Sequence, residues 1–458
     1  MQKKKYKNII GVVFSLVIFC CPLVSLGQNM DWKELQGKID SAIAVSGIVQ
    51  LKRNYRIDQP LVAARWTGKD YGYFTIQIIG KGTITALFND APALSIHKGK
   101  GVIVKGISFE GQYKSPVLSA QDFYNSNLGN YSNSGCRDSR YSPYAAIAID
   151  PFMYQLPPDG GYPTLKQYYR GAKSVSGSTG IRVEDCSISG FTIGAITSPN
   201  GYTLNAEIIS FVDMKLSDCR IGIAGNQPQE KMNRVINLKA VGTIHTLFAF
   251  GRYGKGHPGN WVIDGVKITG RMVNLIFRHT GKFFPMYMNN IQAESLGSIG
   301  EWQTGLSDAL SNSTIRLVGW KEVGNLPDYV LTNGGVAMNN TTIQYIDSKQ
   351  PLIFAGKSLD QAQYSNMDYK GNKPVYWTNF KQNPLKSKVN LKKGLPISKE
   401  TIKLPGKAAV GDIVIFYEGN FFYQGCGMVI SAEPGAYLVG KLSPGVYNGK
   451  SNWAGILL

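Results

Sequence analysis

Acidic side chains, histidines and closely spaced cysteines are all scarce in this chain of 458 residues. The 30 aspartates and glutamates are outnumbered by 49 lysines and arginines, which gives a formal net charge of +19 at pH 7. Such an excess favours an anionic partner. Cysteine pairs with the CxxC spacing of zinc ligands do not occur, and no dense acidic cluster stands out as a calcium site. The sequence therefore predicts no cofactor and indicates no metal site, and it leaves a calcium requirement open.

Four cysteines remain beyond the first 27 residues, at Cys136, Cys186, Cys219 and Cys426. Cys186 and Cys219 each follow an aspartate, in the similar phrases VEDC and LSDC. This predicts equivalent positions in a repeat and buried thiols that pack as small hydrophobes. The sequence leaves open whether Cys136 and Cys426 form a disulfide.

Residues 1–27 have the composition of a secretory signal peptide. Four lysines precede an apolar run from Ile9 to Leu26, and small residues near its end predict cleavage before Gln28. The run approaches the length of a short membrane anchor, but an interior proline and the lack of a flanking charge cluster favour cleavage. Phe19 stands before Cys20, where a lipoprotein signal needs a small residue. We expect a secreted or periplasmic protein with no stable membrane insertion after cleavage.

The expected anionic partner follows from the basic charge and the signal peptide together. Nucleic acid, acidic lipid and acidic polysaccharide all satisfy the electrostatics, but the chain is exported and carries none of the usual nucleic-acid motifs. An anionic polysaccharide is therefore predicted and nucleic acid is not. The alternative is a basic secreted protein whose charge serves no particular partner, and the oligomeric state is left open.

Helical periodicity is confined to one short stretch near the start of the mature chain. Between Asp31 and Ala44, apolar residues recur at helical spacing at Trp32, Leu35, Ile39 and Ile43, which predicts an amphipathic helix. Beyond it, short β-branched segments alternate with turn residues, among them many of the 52 glycines. The rest of the chain is predicted to consist of short strands.

The strand-like segments repeat a phrase, as in VKGISFEG from Val104, VEDCSISG from Val183 and SNSTIRLVG from Ser311. An Asp or Asn stands three residues before an Ile at Asp185, Asp218, Asn312 and Asn340, and more loosely at Asp264 and Asn289. The shorter intervals fit one coil of a solenoid, in which stacked coils share a continuous core. Predicted inward positions are Ile107, Ile188, Ile221, Ile268, Ile315 and Ile343.

Together with the segments GIVQLKRNYRIDQPL and IQIIGKGTITAL, this pattern resembles the right-handed parallel β-helix proteins of the pectate-lyase-like superfamily. The resemblance implies an all-β fold, with the helix and these two segments as the N-terminal cap and first coils. It covers roughly residues 30–380. Related folds host lyases, hydrolases, epimerases and glycan depolymerases, so the fold alone does not choose a reaction.

Three divisions of the chain are expected on this basis. Residues 1–27 form the signal peptide, residues 28–395 the parallel β-helix, and residues 396–458 a small C-terminal β domain or cap. A long Tyr-rich insertion at 112–178 interrupts the repeat and is predicted to form a binding wall along one side of the solenoid.

Basic side chains gather between His245 and His279. Arg252 and Arg278 are about one coil apart, so they are predicted to align on one edge, where guanidinium groups suit carboxylate binding. A β-elimination needs such cations, a base for a C–H proton and an acid for the leaving oxygen. The predicted catalytic residues are His257, Lys255, Tyr253, Arg278 and His279.

Within this set His257, His279 or Lys255 is the predicted base and Tyr253 the acid, while Arg252 binds substrate. The alternative for this region is a glycine-rich surface turn, with His245 packed and hydrogen-bonded on a strand. The long insertion interleaves aromatic rings with cations, which suits stacking on sugar rings and capture of carboxylate or sulfate. Its predicted substrate-binding residues are Arg137, Arg140, Tyr141, Tyr144, Tyr168, Tyr169 and Arg170.

The predicted function is cleavage of an anionic polysaccharide, uronate-containing or sulfated, by a β-elimination lyase, and two other functions compete with it. A β-helix glycoside hydrolase would use paired carboxylates, for which Asp150, Glu207, Asp213 and Asp264 are the candidates, although Asp185, Asp218 and Asp264 are better explained as turn residues of the repeat. A non-catalytic glycan-binding or tailspike-like adhesion protein would show aromatic and cationic side chains without a converging base and acid.

Overall fold

The structure is a computed structural model of the chain. It describes residues 28–67, 71–89, 91–114, 144–151, 175–198, 204–225, 231–251, 259–279, 285–303, 308–318, 329–332, 336–346, 352–356, 364–365, 368–370, 375–377, 399–402, 413–418, 422–433, 436–441 and 456–457. The predicted signal peptide and Cys136 lie outside these residues.

One α-helix and 37 strands make up the described chain. The helix is α1 (Gln28–Val45). The first strands are β1 (Ile48–Leu51), β2 (Tyr55–Ile57), β3 (Leu61–Trp66), β4 (Tyr71–Gly72), β5 (Gln77–Gly80), β6 (Thr83–Ala86), β7 (Leu94–His97), β8 (Ile103–Lys105), β9 (Ser108–Glu110), β10 (Ala145–Ile149), β11 (Val175–Thr179), β12 (Arg182–Glu184), β13 (Ser187–Ser189), β14 (Ile193–Thr197), β15 (Leu204–Glu207), β16 (Ser210–Val212), β17 (Lys215–Ser217) and β18 (Cys219–Gly225).

The strands that follow are β19 (Asn233–Ala240), β20 (Thr243–Gly251), β21 (Trp261–Ile268), β22 (Arg271–His279), β23 (Met286–Gln303), β24 (Asp308–Ser311), β25 (Thr314–Val318), β26 (Tyr329–Thr332), β27 (Val336–Asn339), β28 (Thr342–Ile346), β29 (Leu352–Gly356), β30 (Tyr364–Ser365), β31 (Asp368–Lys370), β32 (Val375–Trp377), β33 (Lys399–Ile402), β34 (Ile413–Glu418), β35 (Phe422–Glu433), β36 (Ala436–Lys441) and β37 (Ile456–Leu457).

All strands from β1 to β32 except β4, β11 and β15 build three parallel sheets that wind into a β-helix; β4 pairs antiparallel with β3, and β11 and β15 pair with each other. The first sheet runs β1-β5-β8-β12-β16-β19-β21-β23-β24-β27-β30. The second runs β2-β6-β9-β13-β17-β19-β21-β23-β25-β28-β31. The third runs β3-β7-β10-β14-β18-β20-β22-β23-β26-β29-β32. The predicted all-β parallel solenoid is confirmed.

The helix α1 packs against the first coil as its sequence predicts. Its residues Trp32, Leu35, Ile39 and Ile43 are all buried against the strands below. The side chain of Gln36 holds the helix to β3, because its amide donates to the carbonyl of Val62 at 2.8 Å and accepts from the Val62 N–H at 2.9 Å. The helix thus covers the apolar end that an open solenoid would leave exposed.

A continuous column of buried side chains follows the axis of the second sheet. In register, and all buried, stand Tyr55, Ile84, Phe109, Ile188, Leu216, Ala240, Ile268, Ala293, Ile315 and Ile343. Four of the six predicted isoleucines are in this column. Ile107 and Ile221 are also buried but belong elsewhere, since Ile221 lies on β18 in the third sheet. The predicted single stack of all six was therefore wrong.

The corner between the first and second sheets carries one left-handed residue in each of eight coils. Gly106, Asp185, Asp213, Asn237, Gly265, Asn290, Asn312 and Asn340 all have φ between 48° and 73°. Gly, Asn and Asp tolerate this conformation better than other residues. Asp185, Asn312 and Asn340 are corner residues as predicted, but Asp218 lies between β17 and β18, at the corner with the third sheet.

The two buried cysteines, like Asp185 and Asp218 before them, lie at different corners of the coil. Cys186 follows the corner before β13, whereas Cys219 begins β18, so the two positions are not equivalent as the similar phrases suggested. A short turn phrase serves two corners of one coil, because both need a left-handed residue between strands. Both cysteines are buried free thiols, which confirms that part of the prediction.

Burial also sets how these thiols should react. It raises the pKa of Cys186 to about 11 and that of Cys219 to about 12, and the thiolate is the reactive form. We expect the peptides containing Cys186 and Cys219 to resist iodoacetamide at pH 8 in the folded protein and to react in urea. Mass spectrometry of the digested protein measures this, and fast labelling before unfolding would contradict the buried positions.

A ladder of side-chain hydrogen bonds runs along the corner between the first and second sheets, which we call the first corner. Asn289 donates to Asp264, Asn312 to Asn289 and Asn340 to Asn312, each from Nδ2 to Oδ1 at 2.8 Å. Asp264 and Asn289 thus belong to the repeat, although each stands one residue before the left-handed position. Every rung links one coil to the next, which resists slippage of the coils against each other.

Substitutions at Asn312 can separate the stability contributed by the left-handed backbone from that contributed by the ladder hydrogen bonds, because Asn312 has both features. We expect Asn312→Gly to lose the two side-chain bonds only, and Asn312→Ala to lose them and to strain a φ of 50°. The difference should be about 1 kcal/mol in the free energy of unfolding, with alanine the less stable. Thermal unfolding of both variants tests this, and an equal loss would show that the backbone conformation is not strained.

Two predictions of domain organisation can be placed on this fold. The insertion at 112–178 is not one loop, because β10 lies within it and pairs with β7 and β14 in the third sheet. Its apolar run AAIAI is buried along its whole length. Strands β33 to β37 form a separate antiparallel sheet, and the boundary at residue 395 lies outside the described residues and stays a prediction.

Candidate functional site

The candidate site is the edge at which the strands of the third sheet end. The register places Ile96 beside Ile149, and Ile149 beside Thr197. Further along the axis, Gly251 lies beside His279. At Lys98, Asp150 and Ser198 the chain takes positive φ values of 56°, 53° and 45°, which turns it out of the strand direction. The strands of the third sheet therefore end side by side along this edge.

The strands β20 and β22, which border the predicted basic cluster in the sequence, end at this edge. Phe250 pairs with Arg278 and Gly251 with His279, so the segments 252–258 and 280–284 start from adjacent strands. Arg278 thus pairs with Phe250, and the predicted alignment of Arg252 with Arg278 on one edge stays a prediction. Arg252, Tyr253, Lys255 and His257 themselves lie outside the described residues, as does the side chain of His279. Their proposed roles stay predictions.

Arg278 does not lie on the surface. Its side chain is 0% exposed, and its Nε donates to Oδ2 of Asp308, also 0% exposed, at 2.6 Å. Asp308 further accepts from the Trp302 indole at 2.7 Å and from the Met286 N–H at 2.8 Å. A carboxylate of an external polymer cannot reach Arg278 in this position. The predicted substrate-contacting role of Arg278 is at odds with the structure, because its charge is neutralised inside the fold.

Among the predicted substrate-binding residues of the long insertion, Tyr144 is the one that lies within the described range. It is 2% exposed, its ring packs on Phe191 with centroids 4.9 Å apart, and its hydroxyl accepts from the Gln112 N–H at 2.7 Å. Its position beside the core argues against sugar stacking. The other predicted residues, Arg137, Arg140, Tyr141, Tyr168, Tyr169 and Arg170, lie outside the described residues.

His245 matches the alternative considered for it. It is buried on β20, and its Nδ1 lies 3.1 Å from the Thr246 hydroxyl. The candidate carboxylates of a hydrolase are dispersed: Asp213 and Asp264 belong to the first corner, whereas Glu207 ends β15 and Asp150 follows β10. Among the residues that the structure describes, no group of three or more His, Cys, Asp and Glu side chains could hold a metal ion.

A polar cluster around Asp150 was missed in the sequence as a group. The Asp150 carboxylate accepts hydrogen bonds from the Lys98 N–H at 2.9 Å, the Ser178 N–H at 2.6 Å and the Ser178 hydroxyl at 2.7 Å. His97 Nδ1 lies 3.8 Å from Oδ1 of Asp150, and the His97 ring packs against Tyr71 with centroids 4.4 Å apart. The four polar residues His97, Lys98, Asp150 and Ser178 span 178 − 97 = 81 positions, so sequence spacing could not bring them together.

Burial decides the charges in this cluster. It lowers the pKa of His97 to about 3, with the Lys98 charge acting in the same direction, so the imidazole is neutral at pH 7. Burial also raises the pKa of Asp150, while the hydrogen bonds from Lys98 and Ser178 act against this rise. All four residues are buried. The cluster fixes the strand ends at the edge, and its four buried residues offer no solvent-facing group to a polymer.

Among the described residues, no helix is long and apolar enough to cross a membrane. No protein-family model matches the chain, and no curated protein sequence matches it.

Solved structures with similar folds include two phage tailspikes and a glucanase. The tailspike of E. coli bacteriophage HK620, solved with a pentasaccharide, is 9% identical with a TM-score of 0.33, over 90% of this chain and 79% of that one. The Acinetobacter phage vB_ApiP_P1 tailspike is 11% identical with a TM-score of 0.32, over 93% and 78%. The catalytic unit of the GH87 α-1,3-glucanase of Streptomyces thermodiastaticus strain HF3-3 is 12% identical with a TM-score of 0.25, over 75% and 62%. At these values the likeness carries no argument about activity or substrate.

Proposed function

We propose that the chain is an exported β-helix protein that binds and cleaves an anionic polysaccharide, uronate-containing or sulfated, by β-elimination on a uronate unit. The observation that supports this most is the register of β20 and β22, in which Gly251 lies beside His279. It starts the basic segments 252–258 and 280–284 from neighbouring strands at one edge. A polymer lying along that edge would meet both segments at once.

The chemistry assigns a separate task to each residue type. Arg252 neutralises the uronate carboxylate, which makes the adjacent C–H more acidic. His257, His279 or Lys255 removes that proton, and Tyr253 protonates the oxygen that leaves when the glycosidic bond breaks. The electron pair of the C–H bond becomes the new C=C bond, conjugated with the carboxylate. Arg278 has no task in this scheme because it is buried in an ion pair.

The basic charge supports the choice of an anionic polymer: it is +19 for the full chain and 19 − 4 = +15 without the four lysines of the predicted signal peptide. The insertion residues Arg137, Arg140 and Arg170, with the tyrosines between them, would add cationic and stacking contacts. Export by the predicted signal peptide would bring the protein to extracellular or periplasmic glycans. No metal enters the scheme.

Incubation of the mature protein with a panel of uronate and sulfated glycans tests the proposal. Products with a conjugated double bond, seen by ultraviolet absorbance, would support elimination. New reducing ends without that absorbance would instead indicate a hydrolase with paired carboxylates. Retained binding without either product would indicate a non-catalytic glycan-binding or adhesion protein, and absence of binding to every anionic glycan would contradict the proposal as a whole.

A further inference from the structure

A row of exposed lysines crosses the outer face of the second sheet. Lys215 on β17 pairs in register with Lys239 on β19, and Lys239 pairs with Lys267 on β21. All three side chains are exposed. Neighbouring strands are about 4.8 Å apart, so the three ammonium groups follow the solenoid axis at nearly regular intervals. We call these three residues the lysine row.

The charges in the lysine row are not neutralised by close partners. Lys215 and Lys239 have no ion pair among the described residues, and Lys267 has one long contact, 3.8 Å from its Nζ to Oε1 of Glu294. On the first sheet, by contrast, Glu184 pairs with Lys105 at 3.1 Å and with Arg182 at 2.7 Å. Like charges on directly opposed strand positions destabilise a sheet. A row of three therefore carries a cost that an external anion would relieve.

The acidic residues nearest to the lysine row in the sequence lie at the two corners of the second sheet and form hydrogen bonds there. Asp213 accepts a hydrogen bond from the Asn237 amide, and Asp218 accepts one from the Thr243 N–H at 3.0 Å. The row itself is flanked in register by uncharged side chains, Ser187 on one side and Gln292 on the other. Its face is thus a cationic strip bordered by hydrogen-bonding groups.

The lysine row also occupies the coils that lead to the candidate site. The strands β17, β19 and β21 precede β18, β20 and β22, whose ends form the edge described above. We propose that the lysine row is a second contact surface for a linear polyuronate, which it binds along the solenoid axis, one sheet away from the edge. This inference rests on the proposed anionic polysaccharide partner.

The lysine row matches a polyuronate in the spacing of its charges and is opposite to it in sign. A polyuronate carries one carboxylate on each sugar unit, at intervals of the same order as the spacing of parallel strands. Lysine heads on flexible stems can adjust to such a row of anions as separate point charges. A polymer held at both surfaces would be retained after a single cleavage, because each contact raises the effective concentration at the other.

Two charge-matched triple variants test this surface. One replaces Lys215, Lys239 and Lys267 with glutamine. The other replaces the exposed residues Lys33, Lys52 and Lys81 with glutamine; these lie on α1 or just after β1 and β5, several coils away from the lysine row. The probe is fluorescently labelled polygalacturonate at low salt, with neutral dextran and a single-stranded oligonucleotide as comparisons.

We expect the lysine-row variant to lose about 10-fold or more in affinity for polygalacturonate, and the control variant about 2-fold or less, from the size of exposed charge contacts. The salt dependence of binding should also become shallower in the lysine-row variant alone. Replacement of the three lysines by arginine should keep the affinity. Unchanged circular dichroism, and a parallel measurement on Lys239→Gln alone, guard against a folding defect.

Each other result overturns the inference. Equal losses in both triple variants would mean that only net charge matters. Unchanged affinity in both, with tight binding by the unaltered protein, would remove the lysine row and leave the proposed function intact. Loss of oligonucleotide binding alone would indicate a nucleic-acid surface. Absence of binding by the unaltered protein to any anionic glycan would overturn the proposed function together with this surface.

Discussion

We expect replacement of Asp308 by alanine to lower the free energy of unfolding by about 3–5 kcal/mol, the usual cost of removing one partner of a buried ion pair. The carboxylate accepts bonds from Arg278, Trp302 and the Met286 N–H inside the solenoid. Without it the guanidinium keeps its charge in a dry interior. Chemical denaturation followed by circular dichroism measures the loss.

The chain offers a matched control in an exposed ion pair. Glu294 lies 3.8 Å from Lys267, and both side chains are more than half exposed. Glu294→Ala should change the stability by about 0–1 kcal/mol. Similar losses in both variants would contradict the buried position of the Arg278–Asp308 pair. The double variant Arg278→Met with Asp308→Leu should recover part of the loss, since an apolar pair leaves no charge unpaired.

The same pair changes the expected phenotype of Arg278. Its position in the basic cluster predicts loss of turnover with an intact fold, as for a group that contacts substrate. The buried ion pair predicts instead that Arg278→Ala loses stability first. Thermal unfolding and turnover measured on the same preparation separate the two outcomes.

His257→Ala should lower turnover of the cleaved polysaccharide about 10²–10⁴-fold, the usual contribution of a general base. The folded protein should keep its unfolding temperature, and the affinity for the polymer should change little. Added imidazole should restore part of the activity, because it can replace the missing base. The control Lys81→Ala removes an exposed cation far from the cluster and should leave turnover unchanged.

Near-normal turnover in His257→Ala would remove His257 as the base. Lys255→Ala and His279→Ala then become the deciding variants, because both residues belong to the same predicted set. Normal turnover in all three would place the chemistry outside the basic cluster. Loss of activity without rescue by imidazole, together with weaker binding, would make His257 a substrate-binding residue.

Much of the fold followed from local rules. The spacing of Trp32, Leu35, Ile39 and Ile43 predicted the capping helix, since a helix must bury one face. The recurring Asp or Asn before an apolar residue predicted a solenoid, because each coil needs a tolerated left-handed turn and a share of the common core. The burial of Cys186 and Cys219 followed in the same way.

The sequence misled where one phrase serves more than one place. Asp185 and Asp218 stand in almost identical surroundings, yet they occupy different corners of the coil. The apolar strand β10 was absorbed into a predicted loop, because five residues between polar stretches give no periodicity of their own. Tyr144, counted among surface aromatics, packs beside it against Phe191.

The sequence by itself determined that this protein is a basic chain of stacked β coils, because composition and repeats depend only on neighbouring residues. Export remains a prediction from the first 27 residues. Tertiary structure alone decided which basic side chains face solvent. Arg278 and Lys267 look alike in the sequence, but Asp308, 30 residues further along, draws Arg278 into the core, and strand register sets Lys267 in a row with Lys215 and Lys239. Such contacts depend on which coils stack, and no short stretch of sequence specifies that.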